Sequence, residues 1–281
     1  SGRRRPGGGM SAAPQPADQA AGARRIAGPV IAVASGKGGV GKTALSLALA
    51  QAFSRRGQRT LVVDADLGMA NVDVQLGLNP AGDLGSVVAG RLTLAEAVSE
   101  ACGGAQARGG FDVIAGPSGS GALAGLDISA VGRLAAGVAA ASLDYDRTLI
   151  DLAAGAERST VRLAAAADDV VIVINDEPTS LTDAYAFVKT LRVRDEGAAP
   201  FVVVNNAPDR ESAHRAYATF ARTCKSFLGF TPPLAGIIRR DDHVPRAIRA
   251  QAALTVRSPD CAAVRDITAL ARALERGVEA R

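Results

Sequence analysis

Continuous apolar runs alternate with amphipathic stretches along the chain from Pro29 onward. Such runs are typical of strands that are buried on both faces of a parallel sheet. They predict strands over residues 29–35, 59–66, 111–116, 145–152, 169–175, 200–206 and 234–238. The stretches between them predict helices over residues 43–57, 127–142, 158–167, 180–194, 210–227 and 260–278. The alternation predicts an α/β fold with a single doubly wound, mostly parallel sheet and helices on both faces.

Composition divides the chain into a tail and one folded domain. Residues 1–28 are rich in Gly, Pro, Ala and Arg, which predicts a disordered tail. Residues 29–281 are predicted to form one domain, whose core is mainly aliphatic because only 4% of the chain is aromatic. The absence of a long apolar run predicts that no helix spans a membrane, and the first residues do not resemble a secretory signal.

The positive charge is concentrated in the tail. The whole chain has 32 Lys and Arg against 28 Asp and Glu, and residues 1–28 alone hold five Arg against one Asp. The remainder is therefore neutral, which argues against specific nucleic-acid binding by the domain. The three cysteines are far apart, without a C-x-x-C pair, and there are two histidines. This pattern excludes a zinc-finger framework and predicts free thiols in a reducing cytosol.

A glycine-rich segment between the first strand and the first helix matches the pattern G-x-x-x-x-G-K-[ST]. Glycines let backbone N–H groups surround phosphate oxygens, and the following helix adds its positive end. Lys42 is predicted to reach the β- and γ-phosphates, and the Thr43 hydroxyl to ligate Mg²⁺. A glycine-rich turn without a ligand is the alternative. The predicted nucleotide-binding residues are Gly36, Lys37, Gly38, Gly39, Val40, Gly41, Lys42, Thr43 and Ala44.

Acidic side chains end two of the predicted strands, where an open α/β sheet has its ligand crevice. Asp66 is predicted to orient the attacking water and to approach the metal, whereas Asp64 is predicted to be structural. Asp151 ends another strand and is predicted to hold Mg²⁺ through water. Capping of the next turn is the alternative for Asp66 and Asp151.

The form K-G-G-x-G-K-T, with Lys37 at the loop entrance, resembles the deviant Walker A motif of the MinD/ParA class of ATPases. The resemblance implies a MinD-like P-loop fold, ATP and Mg²⁺ as cofactors, and slow ATP hydrolysis in an ATP-dependent homodimer. It also implies that Lys37 reaches the partner subunit's nucleotide, the alternative being an ordinary surface lysine. Relatives place an Asn on the adenine where Asn205, or alternatively Asn206, ends a strand here. Either could cap the next turn instead.

Three longer segments, 64–78, 175–191 and 236–254, resemble the FlhG (FleN) family of flagellar number regulators. Residues 18–24, DQAAGAR, resemble that family's N-terminal element, which stimulates the GTPase FlhF. The resemblance implies an ATP-dependent switch for flagellar number or placement. It implies that Asp18, Gln19 and Arg24 contact an FlhF-like GTPase, with basal-body or polar proteins as further partners. A MinD-like septum-site ATPase and a ParA-like DNA- or cargo-positioning ATPase are the alternatives.

The last predicted helix bears on localisation. Its apolar stripe lacks aromatic residues, and its other face mixes Arg with Asp and Glu. A helix that binds a membrane surface favours cations and bulky aromatic groups. We therefore expect this helix to pack against the domain. The expected localisation is cytoplasmic, with only weak peripheral contact at the inner membrane or the cell pole.

Overall fold

The computed structural model of the protein describes Gly2 and residues 28–66, 68–117 and 128–279. In these residues one sheet contains eight strands in the order β3-β4-β2-β5-β1-β6-β7-β8. Every neighbouring pair is parallel except β3 and β4, which are antiparallel. The strands are β1 (Val30–Ser35), β2 (Thr60–Ala65), β3 (Val98–Ala101), β4 (Phe111–Ile114), β5 (Arg147–Ala154), β6 (Asp169–Ile174), β7 (Phe201–Ala207) and β8 (Leu234–Arg239).

Helices cover both faces of the sheet. They are α1 (Lys42–Arg55), α2 (Val72–Leu76), α3 (Leu84–Val88), α4 (Ile128–Ala141), α5 (Arg158–Ala164), α6 (Pro178–Arg194), α7 (Arg210–Leu228), α8 (His243–Arg249), α9 (Leu254–Arg257) and α10 (Ala262–Glu279). Alternate β1 residues enter two separate cores: Ala32 packs with α4 to α7, and Ile31 packs with α1 and α10. The predicted doubly wound α/β fold is therefore confirmed.

The seven predicted strands are all present, but five short elements were not predicted. Strand β3 has four residues and pairs antiparallel at the edge of the sheet. Helices α2, α3, α8 and α9 have four to seven residues each, too few to show a helical period. Helix α6 begins at Pro178 rather than Ser180, because proline fits the first turn of a helix, where its missing N–H costs nothing.

Helix α10 packs against the domain, as expected. The side chains of Ile267, Leu270 and Leu274 are at most 3% exposed and join the core that contains α1. Asp266 of α10 is also buried, and it accepts two side-chain hydrogen bonds from Arg239 at 2.7 and 2.8 Å, which tie the helix to the end of β8. Among the residues that the structure describes, no helix is both long and apolar enough to cross a membrane.

Candidate functional site

The glycine-rich loop lies at the carboxyl end of β1, in the middle of the sheet between β5 and β6. At two positions of the loop, another part of the chain lies so close that a side chain larger than that of glycine would overlap it. A Cβ on Gly36 would lie 2.0 Å from the carbonyl carbon of Asp183 in α6. A Cβ on Gly41 would lie 2.6 Å from the Asn205 side chain, and Gly41 has a φ of +86°. The backbone therefore turns tightly between β1 and α1, as a phosphate-binding loop requires.

The first turns of α1 place two hydroxyl groups on one carboxylate. Thr43 Oγ1 donates to Asp151 Oδ2 at 2.6 Å, and Ser46 Oγ donates to Asp151 Oδ1 at 3.0 Å. Lys42, 8% exposed, begins the helix. Burial raises the pKa of Asp151, while the Thr43 hydroxyl and the Lys42 charge oppose that rise. The structure thus brings together Lys42, Thr43 and Asp151 and adds Ser46, which the motif does not include.

Asp64 lies beside Asp151, because β2 and β5 pair these two residues in register. Its buried carboxylate accepts backbone N–H groups from Asp66, Asn71 and Val72 at 3.0 to 3.1 Å. Burial and the charge of Asp151 raise the pKa of Asp64 to about 7, although the three N–H groups act in the opposite direction. These contacts hold the segment after β2 in place, which is the structural role predicted for Asp64.

Asp66 follows the end of β2, and its Oδ1 atom accepts N–H groups from Gly68 at 3.3 Å and Met69 at 3.0 Å. This is the turn-capping contact given above as the alternative. Asp66 also lies near enough to Asp151 for its charge to contribute to the raised pKa of that carboxyl. Its role in orienting water therefore stays a prediction.

A cavity of about 430 Å³ opens beside the glycine-rich loop, between the ends of β7 and β8. Asn205 lines it and donates from Nδ2 to the carbonyl of Val40 at 2.8 Å, so the end of β7 supports the loop. Asn206 also lines it, with a φ of +54°, and accepts from Arg240 at 3.3 Å. The volume suits a small ligand. The adenine contact of either residue stays a prediction.

Lys37 has partners that the sequence did not reveal. Its Nζ atom donates to Glu177 Oε2 at 2.5 Å and to Thr179 Oγ1 at 3.2 Å, both at the start of α6. The lysine holds the pKa of the Glu177 carboxyl below its usual range. The two side chains are 31% and 54% exposed, so the pair lies at the surface beside the loop entrance. The Glu-Pro pair in the sequence marks the start of α6 but does not indicate this contact, which joins residues 140 positions apart.

The candidate tail residues Asp18, Gln19 and Arg24, and with them the whole DQAAGAR element, lie outside the residues that the structure describes. Their predicted contacts with an FlhF-like GTPase stay predictions.

Comparison with known proteins agrees with this geometry. Residues 31–254 match the family described as CbiA: CobQ/CobB/MinD/ParA nucleotide binding domain. The chain belongs to this MinD/ParA family. It is 37% identical over 226 residues to the antiactivator FleN of Pseudomonas aeruginosa, covering 80% of this chain and 78% of FleN. It is 33% identical over 206 residues to the flagellum site-determining protein YlxH of Helicobacter pylori, covering 70% and 64%.

The fold of the MinD/ParA chain matches solved structures as well. The septum site-determining protein MinD of Pyrococcus horikoshii, complexed with Mg-ADP, superposes with a TM-score of 0.71 at 21% identity, over 89% of this chain and 97% of that one. The predictions of a MinD-like fold, of an ATPase and of a likeness to FleN are thus confirmed. The chain is a P-loop ATPase of the MinD/ParA family.

Proposed function

We propose that the protein is an ATP-hydrolysing switch of the MinD/FlhG type that dimerises with ATP and regulates flagellar number or placement. The observation that carries the proposal is the complete phosphate loop with Lys37 exposed at its entrance, next to the likeness to FleN. The loop supports nucleotide binding, and Lys37 at the loop entrance, held by Glu177 and Thr179, supports a role toward a partner subunit.

The residues present fit both ATP and Mg²⁺. Hard oxygen ligands suit Mg²⁺, and Thr43 Oγ1 and Asp151 Oδ2 lie 2.6 Å apart at the first turn of α1. Thr43 would hold the ion directly and Asp151 through water, with Asp66 near the same shell. Bound Mg²⁺ would neutralise charge on the β- and γ-phosphate oxygens. Lys42 and the loop N–H groups would hold the phosphates, and the cavity at Asn205 and Asn206 would take the adenosine.

Hydrolysis needs a water in line with the γ-phosphate. Asp66 is our candidate for orienting that water, because it stands at the carboxyl end of β2, the edge of the sheet where the loop also lies. We assign Asp64 a structural role instead, because its carboxylate is buried and holds the segment after β2 through three backbone N–H groups. The turnover would be slow and would set the lifetime of the dimer.

Dimerisation would exchange the partner of Lys37. An exposed ion pair such as Lys37–Glu177 is weak, because water screens both charges and the two long side chains lose freedom. A nucleotide phosphate of the partner subunit offers Lys37 a stronger, charge-assisted contact. The pair with Glu177 would therefore hold Lys37 in the monomer and release it when two ATP-loaded subunits meet.

The flagellar role rests on resemblance and on the tail. We propose that residues 29–281 form the ATPase domain, and that residues 1–28 act on an FlhF-like GTPase through Asp18, Gln19 and Arg24. The dimer would present a surface to basal-body or polar proteins. A cytoplasmic protein with weak peripheral contact at the inner membrane fits a last helix whose apolar face is already buried.

The test is the mass of the protein in solution, measured by size exclusion with light scattering in ATP and Mg²⁺. Asp66→Ala should bind ATP, lose phosphate release and accumulate as a dimer, whereas Lys37→Ala should bind ATP and stay monomeric. Lys189→Ala, an exposed lysine on α6, is the matched control and should behave as the unmodified chain. A Lys37→Ala protein that dimerises normally would rule out the cross-subunit role. A pull-down from cells with ATP-trapped Asp66→Ala tests the flagellar role separately. Recovery of septum proteins instead of flagellar ones would rule out that role.

A further inference from the structure

Three side chains with metal-binding atoms converge where β8 ends and α10 begins. Asp241, His243 and Cys261 each offer one ligand atom, and these atoms all lie within 4.8 Å of one another. His243 Nδ1 is 2.7 Å from Asp241 Oδ1. The His243 side chain is 48% exposed and Cys261 is partly buried, so solvent ions can reach the cluster.

The Asp241 carboxylate is held in a fixed orientation. Its Oδ2 atom accepts the N–H of Ala263 at 3.0 Å, and its Oδ1 atom accepts the N–H of His243 at 3.0 Å. The bond from Ala263 joins the segment after β8 to the first turn of α10. A carboxylate oxygen has more than one acceptor site, so Asp241 can keep both backbone contacts and still bind an ion.

We propose that Asp241, His243 and Cys261 form a binding site for a divalent transition-metal ion of the zinc type. A thiolate, an imidazole and a carboxylate together suit Zn²⁺, whereas Mg²⁺ and Ca²⁺ favour sites made of oxygen alone. The site is thus chemically distinct from the Thr43–Asp151 site for Mg²⁺. Three protein ligands leave the fourth tetrahedral position for water.

The distances require only a small adjustment. Zinc bond lengths of about 2.0 to 2.3 Å place tetrahedral ligands roughly 3.3 to 3.8 Å apart. The contacts here run from 2.7 Å between Asp241 and His243 to an upper limit of 4.8 Å across the cluster. Rotation of the exposed His243 ring accommodates the ion. With the ion on His243 Nδ1, the proton of the neutral ring would sit on Nε2, and the Cys261 thiol would release its proton to solvent.

The spacing of these residues explains why the sequence did not predict the site. Asp241 and His243 flank the start of α8, and Cys261 stands at the start of α10, without the paired cysteines of a zinc finger. Only the fold brings them together. A bound ion would link the segment after β8 to the start of α10. That segment forms one wall of the 430 Å³ cavity beside the phosphate loop.

The experiment titrates the full, nucleotide-free chain with Co²⁺ as a spectroscopic probe for the zinc site. We expect a thiolate-to-cobalt absorption band and tetrahedral ligand-field bands that saturate at one ion per chain and vanish when Zn²⁺ is added. Cys261→Ser should abolish the thiolate band. His243→Ala should weaken Co²⁺ binding at least about tenfold. Losing a residue that only hydrogen-bonds to a metal ligand already costs about that much affinity, and His243 would be a ligand itself.

The chain supplies matched controls. Its other histidine, His214, is exposed on α7, and Cys102 is exposed. His214→Ala and Cys102→Ser should keep the full cobalt spectrum. Circular dichroism checks that Cys261→Ser is folded, and His243→Ala tests the site without touching a buried side chain. The proposal is overturned if the unmodified chain shows no thiolate band, if Cys102→Ser removes the band, or if His243→Ala binds Co²⁺ with unchanged affinity.

Discussion

The two hydroxyl groups on Asp151 allow a paired test of the magnesium site. Thr43 and Ser46 both donate to this carboxylate, but only Thr43 belongs to the phosphate loop. Ser46 is fully buried one turn further into α1. We therefore compare Thr43→Val with Ser46→Ala, each of which removes one hydroxyl from the same acceptor.

The expected loss of stability is similar for the two variants. A hydrogen bond to a charged group contributes about 1.5 to 3 kcal/mol when buried. For a domain of this size, 1 kcal/mol shifts Tm by about 2 to 4 °C, so Ser46→Ala should lower Tm by roughly 3 to 12 °C. Thr43 is only partly buried, and its effect should fall in the lower part of that range.

The decisive measurement is ATP affinity by calorimetry with Mg²⁺ and with a chelator. Mg²⁺ should increase the affinity of the unmodified chain and of Ser46→Ala by the same factor. In Thr43→Val, Mg²⁺ should increase ATP affinity much less, because this variant lacks the hydroxyl that ligates the ion. With the chelator present, Thr43→Val and the unmodified chain should bind ATP with the same affinity. If Thr43→Val keeps the full magnesium dependence, or if Ser46→Ala loses it, our assignment of the ligand is wrong.

Three further predictions concern Lys42, the loop glycines and the tail. Lys42→Ala should weaken ATP binding roughly ten- to a hundredfold, since it removes a charge-assisted contact of about 1.5 to 3 kcal/mol; calorimetry with unchanged affinity would contradict the phosphate-loop assignment. Gly36→Ala should destabilise the fold by about 1 to 3 kcal/mol, because its Cβ would overlap α6, whereas Gly38→Ala, with open space around its Cβ, should leave the melting temperature of the nucleotide-free chain unchanged. Deleting residues 1–28 should preserve ATPase activity and dimerisation but abolish stimulation of an FlhF-like GTPase, with Gln19→Ala causing most of that loss; an inert full-length chain in the same GTPase assay would show that the DQA match is accidental.

Local features made much of this protein predictable from its sequence. The apolar runs identify seven of the eight strands that the structure describes, because a strand buried on both faces is apolar along most of its length. The phosphate loop is equally local: its glycines, Lys42 and Thr43 are consecutive residues between a strand and a helix.

Contacts between distant segments were decided only by the tertiary structure. The register of β2 against β5 places Asp64 beside Asp151, and no local pattern contains that register. Lys37 meets Glu177 because crossover helices return the chain to the same edge of a parallel sheet. His243 meets Cys261 because the chain, after passing through α8 and α9, returns to the end of β8 where α10 begins. Sequence periodicity records which face of an element is buried, but not which element packs against it. The partners of the loop and the proposed zinc site therefore emerge only when the sheet order is known.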